Sequence, residues 1–248
     1  MEPILAASCA DARERLTVAT RRLESGGDRA AARDAAEAAL DVASCCHSIG
    51  SAAERERALG LAADGFARLL GGIGRDEVID PGLIDIGVVL NAVLTAWAAG
   101  RFDLAASFGS LPTETYRPKN RARPDEPAMF ATFAVSSAAR GNALARDRAI
   151  AYARDAIGAG RTKDLTTARG ENAPLLDGLD AVTQGRAKAL DRALAKLLRF
   201  HAWRYRAGEL PQCALDIRSL GLARWAAQQG VLTTVEDPRL PISLEEKG

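Results

Sequence analysis

Few side chains in this 248-residue chain are suited to chemistry. The two histidines are His47, in the run Cys45-Cys46-His47, and His201, four residues after Leu197. Thiolates and imidazoles are zinc ligands, but consecutive helical side chains point about 100° apart and do not converge on one ion. The run therefore reads as small, half-buried residues near a helix end. His201 falls on the apolar side of its helix. There a hydrogen-bonded core or groove histidine is favoured over a general base, because no nucleophile can be placed beside it. Asp85, between Ile84 and Ile86, is a candidate buried carboxylate. A helix starting at Pro81 would instead put it in the first turns, where the helix dipole favours negative charge. Gly71-Gly72-Ile73-Gly74 lacks the preceding strand that a phosphate cradle needs. GxSxG, the Walker pattern, GxGxxG after a strand and HExxH are all absent. The sequence thus predicts no catalytic residues, no metal site and no cofactor, which is the profile of a binding protein.

The elements that would position these residues are helical. Ala and Leu, both strong helix formers, dominate the chain, and aromatic residues are only 5%. The sequence predicts an all-α fold of about ten helices packed as antiparallel hairpins, a repeat-like array with no substantial sheet. A first helix from Pro3 to Glu24 stops at Gly26-Gly27, Asp28 caps a second, and Ser51-Ala52-Ala53-Glu54 opens a third with capping-box spacing. Asp80-Pro81 marks the next start and carries the stripe Leu83, Gly87, Leu90, Leu94 and Trp97. Gly100, Gly141 and Gly185 then break the chain at near-regular intervals, each between an apolar helix and an Ala-rich one. That spacing is in the range of helical-hairpin arrays. A final helix is predicted over 211–229, and two irregular loops over 110–126 and 158–171. The chain reads as one domain, residues 1–75 forming a three-helix part and residues 80–241 the hairpin array. Trp97, Trp203 and Trp225 are read as core or groove walls.

Lys+Arg number 33 and Asp+Glu 32, a balance that supports neither a nucleic-acid nor an anionic-membrane partner. The most apolar stretch, 83–99, carries Asp85 and Asn91 and reads as a buried helix instead of a membrane span. With no signal-peptide core near Met1, and with Cys9, Cys45, Cys46 and Cys213 showing no CxxC pair, the expectation is a reduced, cytoplasmic protein without disulfides.

From Phe200 the chain reads FHAWRYRAGELPQCALDIRSLGLARWAAQQGVLTTVEDPRLP. A His and a Tyr end a long helix, Leu-Pro precedes an apolar helix with Gly-Leu-Ala-Arg, and a Gly stop leads to Asp-x-x-Leu-Pro. Upstream lie Ala-Trp-Ala-Ala-Gly, a short helix and a Leu-Pro loop leading to Tyr116. Over roughly residues 80–241 this resembles the immunity 49 family, all-helical proteins encoded beside toxin genes in bacterial polymorphic toxin systems. The resemblance implies capture of a cognate protein toxin and carries over no catalytic residue. A helical-repeat adaptor and a helical hydrolase with a dispersed carboxylate site are the alternative readings.

Partner-binding residues concentrate on loops held by a rigid scaffold. The first long loop offers Tyr116, Arg117, Arg121 and Arg123, and the second Arg161, Lys163 and Arg169. If the glycine turns stack on one side, both loops emerge together on the other. The groove near His201 and Tyr205 is the next candidate surface.

Overall fold

The computed structural model describes residues 3–73, 83–112, 125–206 and 211–242. Their regular structure is helical throughout, with no strand among the described residues. Ten helices of at least two turns follow in order. These are α1 (Pro3–Glu24), α2 (Arg29–Ser48), α3 (Ala52–Leu70), α4 (Ile86–Ala98), α5 (Phe102–Gly109), α6 (Glu126–Ala139), α7 (Ala143–Gly158), α8 (Ala173–Thr183), α9 (Ala187–Arg204) and α10 (Ile217–Gln228). Short polar side chains start several of them. Asp28 Oδ1 accepts from the Ala31 N–H, Asp85 Oδ1 from Val88 and Asn142 Oδ1 from Ala145.

Gly100, Gly141 and Gly185 each adopt a left-handed φ of 65–70°. After each, the next residue's N–H bonds five residues back: Arg101 to Ala96 O, Asn142 to Ser137 O and Arg186 to Ala181 O. This Schellman closure satisfies the last helical carbonyls and reverses the chain, giving the hairpins α4/α5, α6/α7 and α8/α9. The array does not continue as a one-dimensional stack. Helix α10 returns to pack along α4, and α3 packs on α4 from the other direction. The ring planes of Trp97 and Trp225 stack there with centroids 4.8 Å apart. Helix α4 is thus the hub of one core that extends from Ala12 to Leu240.

Small residues set how closely the helices approach. A Cβ added at Gly221 would lie 2.4 Å from the Leu94 carbonyl oxygen, and one at Gly109 2.4 Å from that of Ser136. These glycines are contact surfaces between helices, in contrast to the turn glycines.

Several sequence expectations are corrected here. The fourth helix begins at Ile86, and Asp85 is an exposed N-cap, not a residue within the first turns of a helix begun at Pro81. Asp80-Pro81 lies outside the described residues. The last helix begins at Ile217, because Asp216 caps it, while Pro211–Cys213 forms a separate 3-10 turn. The second loop is shorter than expected. Asp164 caps a turn at Leu165–Thr167 that runs through a π turn, Ala168–Asn172, into α8. Pro174 has no N–H to give the Gly170 carbonyl, and Ala173 N–H bonds instead to Ala168 O, five residues back. The cysteines also differ from expectation, since Cys9 of α1 and Cys45 of α2 form a disulfide. The two helices fold back on each other and bring these Cα atoms to 5.6 Å, a proximity that local spacing does not show. Cys46 and Cys213 remain thiols. Among the described residues no helix is long and apolar enough to cross a membrane.

Candidate functional site

A cavity of about 250 Å³ with mixed polar and apolar walls lies where the end of α9 meets the middle of α4, the π turn and the start of α10. Each wall has a local cause. Helix α9 keeps Leu190, Leu194, Leu197 and Leu198 buried, and continuing the same stripe brings in His201, 9% exposed. The π turn inserts an extra residue ahead of α8, and Glu171 within it lines the cavity at 8% exposure. The Asp216 cap places Ile217 and Arg218 at the cavity's edge, and Leu94 and Thr95 of α4 line another side. The 3-10 turn closes the remaining wall through Gln212, whose side chain bonds to Asp41 of α2.

Charge in the cavity is concentrated on one carboxylate shared by two guanidiniums. Arg204 Nη1 donates to Glu171 Oε2 at 2.9 Å, and Arg218 pairs with the other oxygen. Burial pushes the Arg218 guanidinium down to about 10, which still leaves it a cation at neutral pH. Asp216 is 4% exposed, but both its oxygens are committed. Oδ1 accepts from the Arg218 N–H and Oδ2 from the Ser219 hydroxyl at 2.6 Å. Burial lowers the His201 imidazole, an effect that the nearby Asp216 charge opposes. The ring is neutral near pH 7, bonds to the backbone of Gln212 and leaves Nδ1 without a partner.

The rim is aromatic and cationic. Trp203 is 52% exposed, with Phe200 tilted against it at 5.3 Å, and Arg204 lies 5.9 Å from the centre of the Tyr205 ring. Tyr205 packs on His201 at 4.8 Å. Gly170 supports this end, because a Cβ there would fall within the Phe200 ring.

Of the residues singled out from sequence, His201 and Tyr205 meet at this cavity. Tyr116, Arg117, Arg121 and Arg123 lie outside the described residues. Arg161 is exposed but bound in ion pairs with Glu126 and Asp155 at 2.9 and 2.7 Å. Lys163 and Arg169 are exposed as well. The Thr162 hydroxyl and the Lys163 N–H both donate to Asp125. The end of the first loop, at Asp125, therefore sits against the second, while residues 113–124 lie outside the described residues. Trp97 and Trp225 are core, whereas Trp203 is a surface side chain, contrary to the sequence reading.

Glu171, Trp203, Arg204 and Arg218 were missed. Arg218 was unremarkable among many arginines, and Glu171 stood at the edge of a supposed loop. The available signal was helical phase. Trp203, Arg204 and Tyr205 follow directly after the last buried positions of α9, where an amphipathic helix turns from core to solvent. Comparison of the chain with models of protein families, with curated proteins and with solved structures returned no match.

Proposed function

We propose that this protein is a toxin-neutralising binding protein, an immunity protein that docks a cognate bacterial toxin domain on the surface around Trp203. The observation that carries this reading is the exposed Trp203, packed on Phe200, which together with the next residues Arg204 and Tyr205 lines a recess. Trp, Tyr and Arg are the residue types most enriched among interface hot spots, and they contribute most at the edge of a pocket that a partner can fill. A half-exposed indole held by a neighbouring ring is already ordered, so little side-chain entropy is lost on docking. The resemblance of residues 80–241 to immunity proteins supports the same class of partner. We place toxin capture in the cytoplasm of the producing cell, where the Cys9–Cys45 bridge would have to withstand a reducing environment.

The test is co-expression with the toxin encoded beside the gene, scored as rescue of growth, together with the affinity of the purified pair. Trp203→Ala is expected to weaken binding by roughly 2 kcal/mol or more, about thirtyfold, with helicity unchanged. Failure of the parent to rescue refutes the function. Parent-like binding by Trp203→Ala and Arg204→Ala together refutes the location.

A further inference from the structure

The cavity beneath this rim has a property that protein docking does not require: its walls hold polar groups with unmet bonding capacity. A guanidinium carries five N–H donors. Arg218 pairs with Glu171, which Arg204 shares, so two guanidiniums bring more N–H donors than one carboxylate can accept, although with Asp216 the formal charges of the cavity balance. The other acid on the wall, Asp216, has both oxygens committed to its own helix start. Thr95, fully buried on the α4 wall, has a hydroxyl with no partner, and His201 Nδ1 has none either. With the imidazole neutral and its other nitrogen donating to the Gln212 backbone, Nδ1 is a lone pair in need of a donor. Unpaired polar groups in a buried wall cost free energy, and a native fold seldom tolerates several of them around one cavity without a ligand or ordered water to meet them.

We propose that this cavity binds a small organic carboxylate with a hydroxyl or ammonium group next to it, a hydroxy acid or an amino acid. The carboxylate accepts from the remaining N–H donors of Arg218 and Arg204 and from the Thr95 hydroxyl, because planar guanidinium groups match carboxylates through paired N–H bonds. The adjacent O–H or N–H donates to His201 Nδ1. Leu94, Leu197 and Leu215 supply the apolar wall for a short carbon chain. The volume is that of about eight water molecules at ~30 Å³ each, which limits the ligand to a few carbons. The site shares Arg204 with the docking surface but does not include Trp203, and it stands whether or not a toxin docks above it.

The experiment titrates the full chain calorimetrically with lactate, serine, malate, propionate and inorganic phosphate. Saturable binding of lactate, serine or malate is expected, with propionate at least severalfold weaker than lactate because it lacks the donor for His201. Arg218→Gln is expected to weaken the best of these roughly tenfold to hundredfold, the effect of losing a hydrogen bond to a charged group. Thr95→Val, which keeps the side-chain shape, is expected to weaken it severalfold. Should Arg218→Gln lose its helicity, Thr95→Val and the lactate–propionate comparison decide the matter. Phosphate binding without carboxylate binding overturns the ligand class. Equal affinity for lactate and propionate overturns the role of His201. No saturable binding by any probe, or parent-like affinity in both Arg218→Gln and Thr95→Val, overturns the site.

Discussion

Replacing Gly221 by Ala tests the helix contact on which the cavity depends, and a matched substitution at Gly60 supplies the opposite sign. Both glycines lie inside helices, Gly221 in α10 and Gly60 in α3, so each exchange brings the same gain in helix propensity, about 1 kcal/mol. Their surroundings differ. A Cβ at Gly60 meets nothing within 4 Å, whereas at Gly221 it meets the Leu94 carbonyl oxygen at 2.4 Å, with Leu94 C and Cα at 3.2 and 3.3 Å. All three atoms are backbone of α4 and cannot rotate aside. Helix α10 would have to retreat by about 1 Å to restore van der Waals contact. That movement loosens the Trp97–Trp225 stack and the buried Leu220 and Leu222. Overpacking of this kind costs roughly 1–3 kcal/mol, and more where backbone must move. Because the obstructing atoms are backbone, the upper end of that range, about 3 kcal/mol, applies; less the propensity gain of about 1 kcal/mol, Gly221→Ala is expected to lose about 2 kcal/mol net, and Gly60→Ala to gain up to about 1 kcal/mol. Denaturant unfolding followed by circular dichroism measures both against the parent. Equal or greater stability in Gly221→Ala refutes the close approach of α10 to α4, and with it the geometry of the cavity.

Two further predictions concern the amino-terminal helices. The Cys9–Cys45 bridge spans a sequence separation of 36, for which the chain-entropy relation gives roughly 4 kcal/mol as the stabilisation at stake. Cys9→Ser is expected to unfold at lower denaturant concentration, and a thiol reductant should bring the parent down to the variant; coincident curves without reductant would show that the bridge does not form. Glu56 of α3 grips Arg224 of α10 with two hydrogen bonds of 2.8 and 2.9 Å. Partial burial pushes the Glu56 carboxyl up, but Arg224 and Arg55 pull it further down, so it ends below the usual carboxylate range. A depressed carboxylate stabilises the fold above its unfolded pKa of about 4.3, and that contribution is lost as pH falls through the lower folded value. Because the Glu56 side chain is 40% exposed and its ion pair is screened by solvent, Glu56→Gln is expected to cost roughly 1 kcal/mol at neutral pH and to flatten the acid limb of the stability curve. An acid limb identical to that of the parent would exclude Glu56 from it.

Local chemistry determined most of the helices, because the forces that start and stop a helix act over a few residues. An aspartate cap reaches two or three residues ahead, and a left-handed glycine lets the next N–H bond five residues back. Asp28, Asn142, Gly100, Gly141 and Gly185 could therefore be read directly. Where two such signals competed, the sequence was ambiguous. The caps that start the fourth and last helices, Asp85 and Asp216, were passed over in favour of Asp80-Pro81 and Pro211, although each is a residue type suited to a helix start. Pairings across the chain were decided only by tertiary structure. Nothing around Cys9 points to Cys45, and nothing around Arg218 points to Glu171, because these contacts depend on where whole helices dock. Gly221 shows the same limit within a single residue. Its sequence context is that of a weak helical position, and it becomes indispensable to packing only when the Leu94 carbonyl lies against it. The cavity forms where α4, α9, α10 and the π turn converge, so His201 was visible from the start while Arg218 and Glu171 became meaningful only once α10 had returned to α4.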